Sequence, residues 1–399
     1  MRILQIIPSI SLVYGGPSQM VLGLSAALAA KNIDVTIITT DSNGDIGQLP
    51  LDVPLNQPLQ QNGYQIIYFR CYPWRRYKFS LSLLQWFNEN ARQFDLAHIH
   101  ALFSPVTTLA ATIARGHKLP YIMRPCGMLD PADLQKKKRL KQIYATLLER
   151  PNLAGAAAIH FTSKEEAKIS ERFGLGSTGK MPVPQDLVIP LGVRADFYSD
   201  ILPDSEIPII LFMSRIEPKK GLELLISALE TILAEGINFH FVLAGSNPQD
   251  AGYETKIKEK IQNSSLGKST TITGFVSGDS KIALLRKADL FVLPSYYENF
   301  GIAVAEAMAA GVPVAISDRI HIAEDIQQAE AGWVEPLEVG AIANSIKSAL
   351  LNPQERQRRG LNGQEYARKH YNWDAIAQQT IDAYQQILSS IAEGRRKKQ

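Results

Sequence analysis

The sequence predicts an α/β protein with two parallel-sheet domains. Three observations carry that prediction. Apolar runs of strand length alternate with helix-length segments from Arg2 onward. The alternation is interrupted once, by a polar, proline-containing segment ending near Pro208, and restarts at Ile209. Each half then repeats strand, loop, helix, strand, the pattern of a doubly wound, Rossmann-like unit. We therefore expect domains over 1–194 and 195–372, followed by a C-terminal helix and basic tail over 373–399.

In the first half, Arg2 to Ile7 reads as a buried strand. Gly15-Gly16-Pro17 then opens a helix to about Ala30, with Pro17 suited to its first turn. Val35 to Thr39 is the next strand. A glycine pair lets backbone approach a phosphate closely, and equally makes a tight turn. Residues 41–63 read as an irregular loop. Strands follow at Tyr64–Phe69, Asp95–His100, Pro120–Met123, Ala156–Phe161 and Asp186–Leu191, with helices near Ser80–Arg92 and Ser104–Arg115. A basic amphipathic helix is expected over Leu134–Arg150. Thr162-Ser163 reads as a cap for a helix from Lys164 to Phe173.

The second half restarts with a strand at Ile209–Met213 and a helix at Leu222–Ala234. Further strands are expected at Phe239–Ala244, Thr270–Thr273, Leu290–Leu293, Val312–Ile316 and around Gly332-Trp333-Val334. Three polar-faced helices, 337–351, 353–370 and 373–392, close the chain.

The totals narrow the class. A chain of 399 residues accommodates two ordinary domains, and 45% hydrophobic with 20% charged residues is a globular composition. A net charge of +3 is too small to argue for a nucleic-acid partner. Two distant cysteines, Cys71 and Cys126, make no disulfide framework or metal cluster and fit a reducing cytosol. The apolar runs fall short of the roughly 20 residues a membrane span requires. Met1 to Pro8 reads as a strand broken by Pro8, not as a signal peptide. The expected location is cytoplasmic.

The most informative stretch runs from Pro294 to Val314. It leaves a buried strand, crosses a polar loop and enters a small-residue helix ending at Gly311. Ligands of open parallel sheets bind at carboxyl ends of strands, where this loop lies. Glu298 sits in the loop, and Glu306 about two turns into a helix that Asn299, Phe300 and Gly301 open. Backbone N–H groups at a helix start receive anions, and the carboxylates accept from hydroxyls.

Glu298 to Glu306, with Asn299-Phe300-Gly301 and Glu306 to Val314, resembles the E-x7-E segment of the retaining GT-B glycosyltransferases of family four, or group 1. Arg215 and Lys220 match that family's basic pair, and Gly15-Gly16 its N-terminal glycine loop. The resemblance spans nearly the whole chain. It implies the GT-B fold, with parallel sheets facing an interdomain cleft and the C-terminal helix crossing back to the first domain. It also implies transfer of a sugar, with retention, from a UDP- or GDP-linked donor to a glycan or lipid-linked acceptor. Cell-surface polysaccharide or glycolipid synthesis is the expected setting.

The resemblance assigns roles. Arg215 and Lys220 would hold the diphosphate and offset its departing charge, and Glu298 would meet the transferred sugar. Glu306 would accept from the ribose, Asn299, Phe300 and Gly301 would contact sugar or phosphate, and Gly274, Phe275 and Val276 the base. No Asp-x-Asp motif stands at a strand end, so no metal and no cofactor are expected. One departure is clear: Cys126 stands where the family often has a histidine, leaving Arg124 and His100 as further residues for the acceptor or sugar side. The basic helix and the aromatic-basic segment 72–79 suit an anionic membrane surface, implying a peripheral place at its inner face. Two other readings share these features. One is a nucleotide-sugar epimerase or hydrolase, which needs no acceptor. The other is a non-catalytic nucleotide-sugar-binding protein, against which the set Arg215, Lys220, Glu298 and Glu306 argues.

Overall fold

A computed structural model describes residues 1–44, 48–135, 138–175, 184–198 and 206–396. The apolar runs of the first half form strands where their β-branched and aromatic residues bury on both faces, while its two edge strands are largely exposed. The strands are β1 (Arg2–Ile6), β2 (Asp34–Thr40), β3 (Pro58–Gln61), β4 (Tyr64–Phe69), β5 (Leu96–His100), β6 (Tyr121–Arg124), β7 (Ala158–Phe161) and β8 (Gln185–Val188). Among the described residues they form one sheet in the order β3-β4-β2-β1-β5-β6-β7-β8. All pairings are parallel except β3 with β4. Ile3, Leu4, Ile6, Ile37, Ile38 and Ile99 at its centre are fully buried.

The second half gives β9 (Ile209–Met213), β10 (His240–Ala244), β11 (Thr270–Gly274), β12 (Leu290–Leu293), β13 (Val314–Ser317) and β14 (Gly332–Glu335). Their order is β11-β10-β9-β12-β13-β14, and every pairing is parallel. Two parallel-sheet, Rossmann-like layers are thus present, as expected. Both sheets reverse their strand order once, between β1 and β5 and between β9 and β12. Such a switch point opens a crevice at the carboxyl ends of the two strands.

The chain divides into one unit of Met1–Gly192 with Trp373–Gln399 and a second of Val193–Asn372. The last helix, Trp373–Arg396, therefore returns to the first unit. Its anchor is Trp373, whose indole fills a slot left by two glycines. A Cβ at Gly23 would lie 2.4 Å from the ring, and one at Gly192 2.2 Å from it. Lys31 pairs with Asp374 at 2.8 Å beside it. Further along the same helix, the Tyr384 hydroxyl meets His98 Nδ1 at 2.7 Å.

Three expectations change. The loop over 41–63 contains β3, turned back onto β4 through Asn62 and Gly63, both at positive φ. The helix expected over Leu134–Arg150 departs from regular α geometry at Ala145–Glu149. Its described parts are Pro131–Gln135, Lys138–Tyr144, a π turn at Ala145–Glu149 and Arg150–Gly155. Lys136 and Lys137 lie outside the described residues. The helix after Ser163 ends at Ile169, four residues early, although Ser163 caps it as expected by accepting the Glu166 N–H at 3.0 Å. No helix among the described residues is long and apolar enough to cross a membrane.

Candidate functional site

The second switch point collects the strongest candidates. After β9 the chain makes a short turn, Pro218–Lys220, that ends at Gly221 in the left-handed region, with φ 69°. Glycine is required there twice over. The conformation is costly for other residues, and a Cβ would lie 2.0 Å from the Pro294 carbonyl oxygen. That close approach brings the loop after β12 onto the turn. The Tyr296 N–H donates to the Lys219 carbonyl at 2.8 Å and fixes the contact.

Lys220 and Glu298 meet there in an ion pair, both largely buried. Burial pulls the Lys220 ammonium below its ordinary value, and Glu298 opposes that pull. The Ser295 hydroxyl donates to the same Glu298 oxygen at 3.2 Å. Ser317, at the end of β13, donates its hydroxyl to the Ser295 carbonyl. The Glu298 backbone is bonded in turn to Arg319 and His321. Neighbouring segments on both sides thus hold the loop carrying Glu298. Arg215 is more open, its side chain about half exposed and 3.3 Å from Glu217.

The helix after this loop starts at Ile302, with Gly301 as its left-handed cap. Glu306 is therefore at the start of the second turn, closer to the helix start than expected. It is 4% exposed, and Lys281 Nζ lies 2.5 Å from its Oε2. Burial raises the carboxyl above its ordinary value, with Lys281 and then Arg194 opposing. Phe300 is 3% exposed and packs on Tyr371 at 5.3 Å. Its ring belongs to the core, so only its backbone remains a candidate. At the end of β11, Gly274 has φ 73° and Phe275 is 74% exposed, a free aromatic face at a strand end. Asn247, buried after β10, donates to the Ile216 carbonyl at 3.2 Å and supports the Arg215 turn.

The first unit places Gly15 and Gly16 at its own switch point. Gly15 has φ 71°, and a Cβ on either glycine would meet nothing within 4 Å. Conformation and open space, not tight packing, account for the pair. The neighbouring loops carry three non-glycine residues at positive φ: Ala101, Phe103 and Cys126. Left-handed backbone at such positions is costly and concentrates at working sites. Cys126 is half-buried, its thiol 3.6 Å from the Arg124 carbonyl.

His100 and Arg124 do not face an open surface, which corrects the expectation for His100. His100 is fully buried, with Nε2 2.6 Å from Gln5 Oε1 and its ring stacked on His98 at 4.4 Å. Burial, with the Arg124 charge, holds it well below the ordinary histidine range. Arg124 is 3% exposed. Strand register explains this: His100 and Arg124 pair directly across β5 and β6 and share one covered face.

Sequence reasoning missed Lys281, Ser295, Gly221 and Asn247. Lys281 and Glu306 are joined by no fixed spacing, so only the fold reveals that pair. Two shallow hollows, of about 410 and 460 Å³, lie elsewhere. One is formed by Arg139, Ile143 and Leu147, the other by Asp196, Asp279 and Arg286. Neither is lined by Lys220, Glu298 or Glu306.

Residues 195–366 match the family described as "Glycosyl transferases group 1", and residues 15–184 match "Glycosyl transferase 4-like domain". The chain belongs to the group 1 glycosyltransferases. An uncharacterized glycosyltransferase of Methanocaldococcus jannaschii is 34% identical over 197 residues, 48% of each chain. The phosphatidyl-myo-inositol mannosyltransferase of Mycobacterium leprae is 29% identical over 209 residues, 51% of this chain and 54% of the relative. The chain spans about half the length of the curated relatives it matches. Among solved structures, the sucrose-phosphate synthase of Thermosynechococcus elongatus superposes with a TM-score of 0.75 at 22% identity, over 98% of this chain and 100% of that one. The Anabaena HepE protein in complex with UDP and glucose gives 0.70 at 19%, over 96% and 99%. These likenesses carry the fold.

Proposed function

We propose that this group 1 glycosyltransferase moves a sugar from a UDP- or GDP-linked donor to a glycan or lipid-linked acceptor, with retention at the anomeric carbon. The setting is assembly of a cell-surface polysaccharide or glycolipid. The observation that carries the reading is the meeting of Lys220 and Glu298 at the switch point of the second sheet. A buried cation there is placed to hold a phosphate, and a carboxylate beside it to accept from sugar hydroxyls.

In this reading Lys220 and Arg215 bear the charge that develops when the bond from the anomeric carbon to the diphosphate breaks. The departing phosphate oxygen takes the proton of the acceptor hydroxyl, and the new bond forms on the same face. Glu298 orients the sugar and is not a covalent nucleophile, Glu306 accepts from the ribose, and the exposed Phe275 segment meets the base. HepE, bound to UDP-glucose in a solved structure, supports the donor class. The mannosyltransferase relative, named for phosphatidyl-myo-inositol, supports a lipid-linked acceptor.

The test uses isotope-labelled donor, preceded by a thermal-shift panel of UDP-, GDP- and ADP-linked sugars. Label passing to added glycan or lipid acceptor is the expected result. Free sugar or an epimer formed without acceptor would replace this reading with a hydrolase or epimerase. Binding without turnover under all acceptors would leave a nucleotide-sugar-binding protein.

Peripheral membrane binding is the accompanying proposal. Ile143, Leu147 and Leu148 are 60%, 67% and 44% exposed on the turns that also carry Arg139. Exposed aliphatic residues beside a cation suit an anionic interface. Co-sedimentation with phosphatidylglycerol vesicles should fall when Ile143→Asp and Leu147→Asp are combined, and unchanged pelleting would remove the membrane from the proposal.

A further inference from the structure

Lys281 has no role in the family resemblance, yet it is tied into the same site from another direction. It lies on the helix Gly278–Lys287, which begins four residues after Gly274 at the end of β11. Its side chain is 17% exposed and reaches across to the helix Ile302–Ala309, where Nζ stands 2.5 Å from Glu306 Oε2. The same ammonium lies 5.4 Å from the centre of the Phe197 ring. Phe197 belongs to a single turn, Ala195–Phe197, and Arg286 of the Lys281 helix donates to the Asp196 carbonyl in that turn at 3.2 Å. The helix Ile302–Ala309 and the turn Ala195–Phe197 therefore meet around the Lys281 helix, Gly278–Lys287.

A surface salt bridge would need no further account, because such pairs contribute little. This one is largely out of water. A buried ion pair seldom stabilises a fold better than apolar residues of the same volume. The geometry instead has a chemical consequence at Glu306. Lys281 approaches the carboxylate at Oε2, one of its four lone-pair directions, and leaves it acceptor capacity for a ligand. An ionised carboxylate so held is an acceptor only, in a fixed orientation. It suits a ligand that offers two adjacent hydroxyls, such as the vicinal diol of a ribose. A protonated carboxyl would present a donor to the same diol and lose one of those bonds.

We infer that Lys281 is a positioning residue for the nucleoside half of the donor, bracing Glu306 so that its carboxylate accepts from the ribose hydroxyls. The inference rests on the nucleotide-sugar reading above and adds to it a residue and a discrimination: ribonucleotides over their 2′-deoxy counterparts.

The experiment is calorimetric titration of the full chain. UDP, GDP and ADP are titrated first, and the nucleotide that binds is then compared with its 2′-deoxy analogue and with inorganic pyrophosphate. In the wild-type chain the ribonucleotide should bind about tenfold more tightly than the deoxy form, the loss expected for one charge-assisted hydrogen bond. Lys281→Met should abolish most of that preference by weakening the ribonucleotide, while pyrophosphate affinity stays close to wild type. Lys281→Arg should restore it. In a Glu306→Gln background, Lys281→Met should change nothing further, because its effect runs through the carboxylate. An unchanged ribose preference in Lys281→Met, or an equal loss for pyrophosphate, would overturn the role of Lys281 and leave the donor reading standing. Failure of the wild-type chain to bind any of the three nucleotides would overturn both.

Discussion

Lys220 and Glu298, 78 residues apart in sequence, close an ion pair between the loops that leave β9 and β12. These strands are neighbours, and the chain runs away from them in opposite directions across the sheet. The pair joins a cation whose burial favours the neutral form to a carboxylate that keeps it charged. A donor diphosphate would compete with Glu298 for the same ammonium.

Removing either member should separate stability from turnover. Lys220→Ala leaves the Glu298 carboxylate without its cation, at a cost of about 1–3 kcal/mol. Under the proposed reaction it also removes charge from the departing diphosphate, and transfer should fall about 10²–10³-fold. Glu298→Gln keeps a carbonyl oxygen for the Ser295 hydroxyl, so its melting temperature should fall less than that of Lys220→Ala. Melting curves and steady-state transfer rates check both variants. An unaltered rate in both would show that these residues do not serve the reaction.

Much of this was legible in the sequence because it depends on local pattern. The strands Ile209–Met213 and Leu290–Leu293 and the helix Leu222–Ala234 form where their apolar runs place them. The loops that follow inherit their position from the sheet. Contacts decided across the sheet were not legible. His100 looked like a strand-end ligand, but its register against Arg124 and its bond to the Gln5 side chain place it on a covered face. Lys281 carries no signal in the sequence, and only the fold sets it on Glu306. The strand β3 was hidden by Pro58 and a polar sequence, although Asn62-Gly63 is a turn signal that marks it. The π turn at Ala145–Glu149 follows from tertiary demand: Glu149, fully buried, accepts the Phe103 N–H at 2.8 Å and the Thr108 hydroxyl at 2.7 Å.

Gly221 and Gly274 make a controlled comparison. Both are left-handed, at φ 69° and 73°. A Cβ at Gly274 meets nothing within 4 Å, whereas one at Gly221 meets the Pro294 carbonyl oxygen at 2.0 Å. Gly274→Ala should therefore cost only the conformational strain of about 1–2 kcal/mol. Gly221→Ala must also push away the loop that carries Ser295 and Glu298. It should lose more stability than Gly274→Ala and impair transfer as well. Equal melting temperatures for the two variants would contradict the close approach.

The stability of the chain should carry a pH signature from Glu306. Burial raises its carboxyl above the ordinary 4.5, with Lys281 opposing. A carboxyl raised on folding binds its proton more tightly in the folded chain. Its stabilising contribution is therefore complete below about pH 4.5 and is lost as pH rises through the folded value. Glu306→Gln cannot ionise and lacks this dependence. Urea unfolding from pH 4 to 8 should show the wild type losing stability relative to Glu306→Gln as pH increases. Glu149, also raised by burial, is common to both proteins and cancels in the difference. Parallel curves would show that Glu306 does not titrate differently in the folded state.

The attachment of the last helix should depend on one side chain. Trp373 occupies the space that Gly23 and Gly192 leave, with their Cβ positions only 2.4 and 2.2 Å from the indole. Trp373→Ala empties that slot and should cost about 3 kcal/mol, the lower end for an aromatic truncation because the ring is partly exposed. Gly23→Ala fills the slot from the other side and should expel the ring, since overpacking is relieved only by moving the side chain or the helix. Both variants should therefore speed hydrogen exchange across Trp373–Arg396, which lies at the low-stability end of the unit once its anchor is lost. The ion pair of Lys31 with Asp374 has one exposed member and should not hold the helix by itself. Wild-type protection of this helix in Trp373→Ala would mean that the Tyr384 end, through His98, carries the attachment instead.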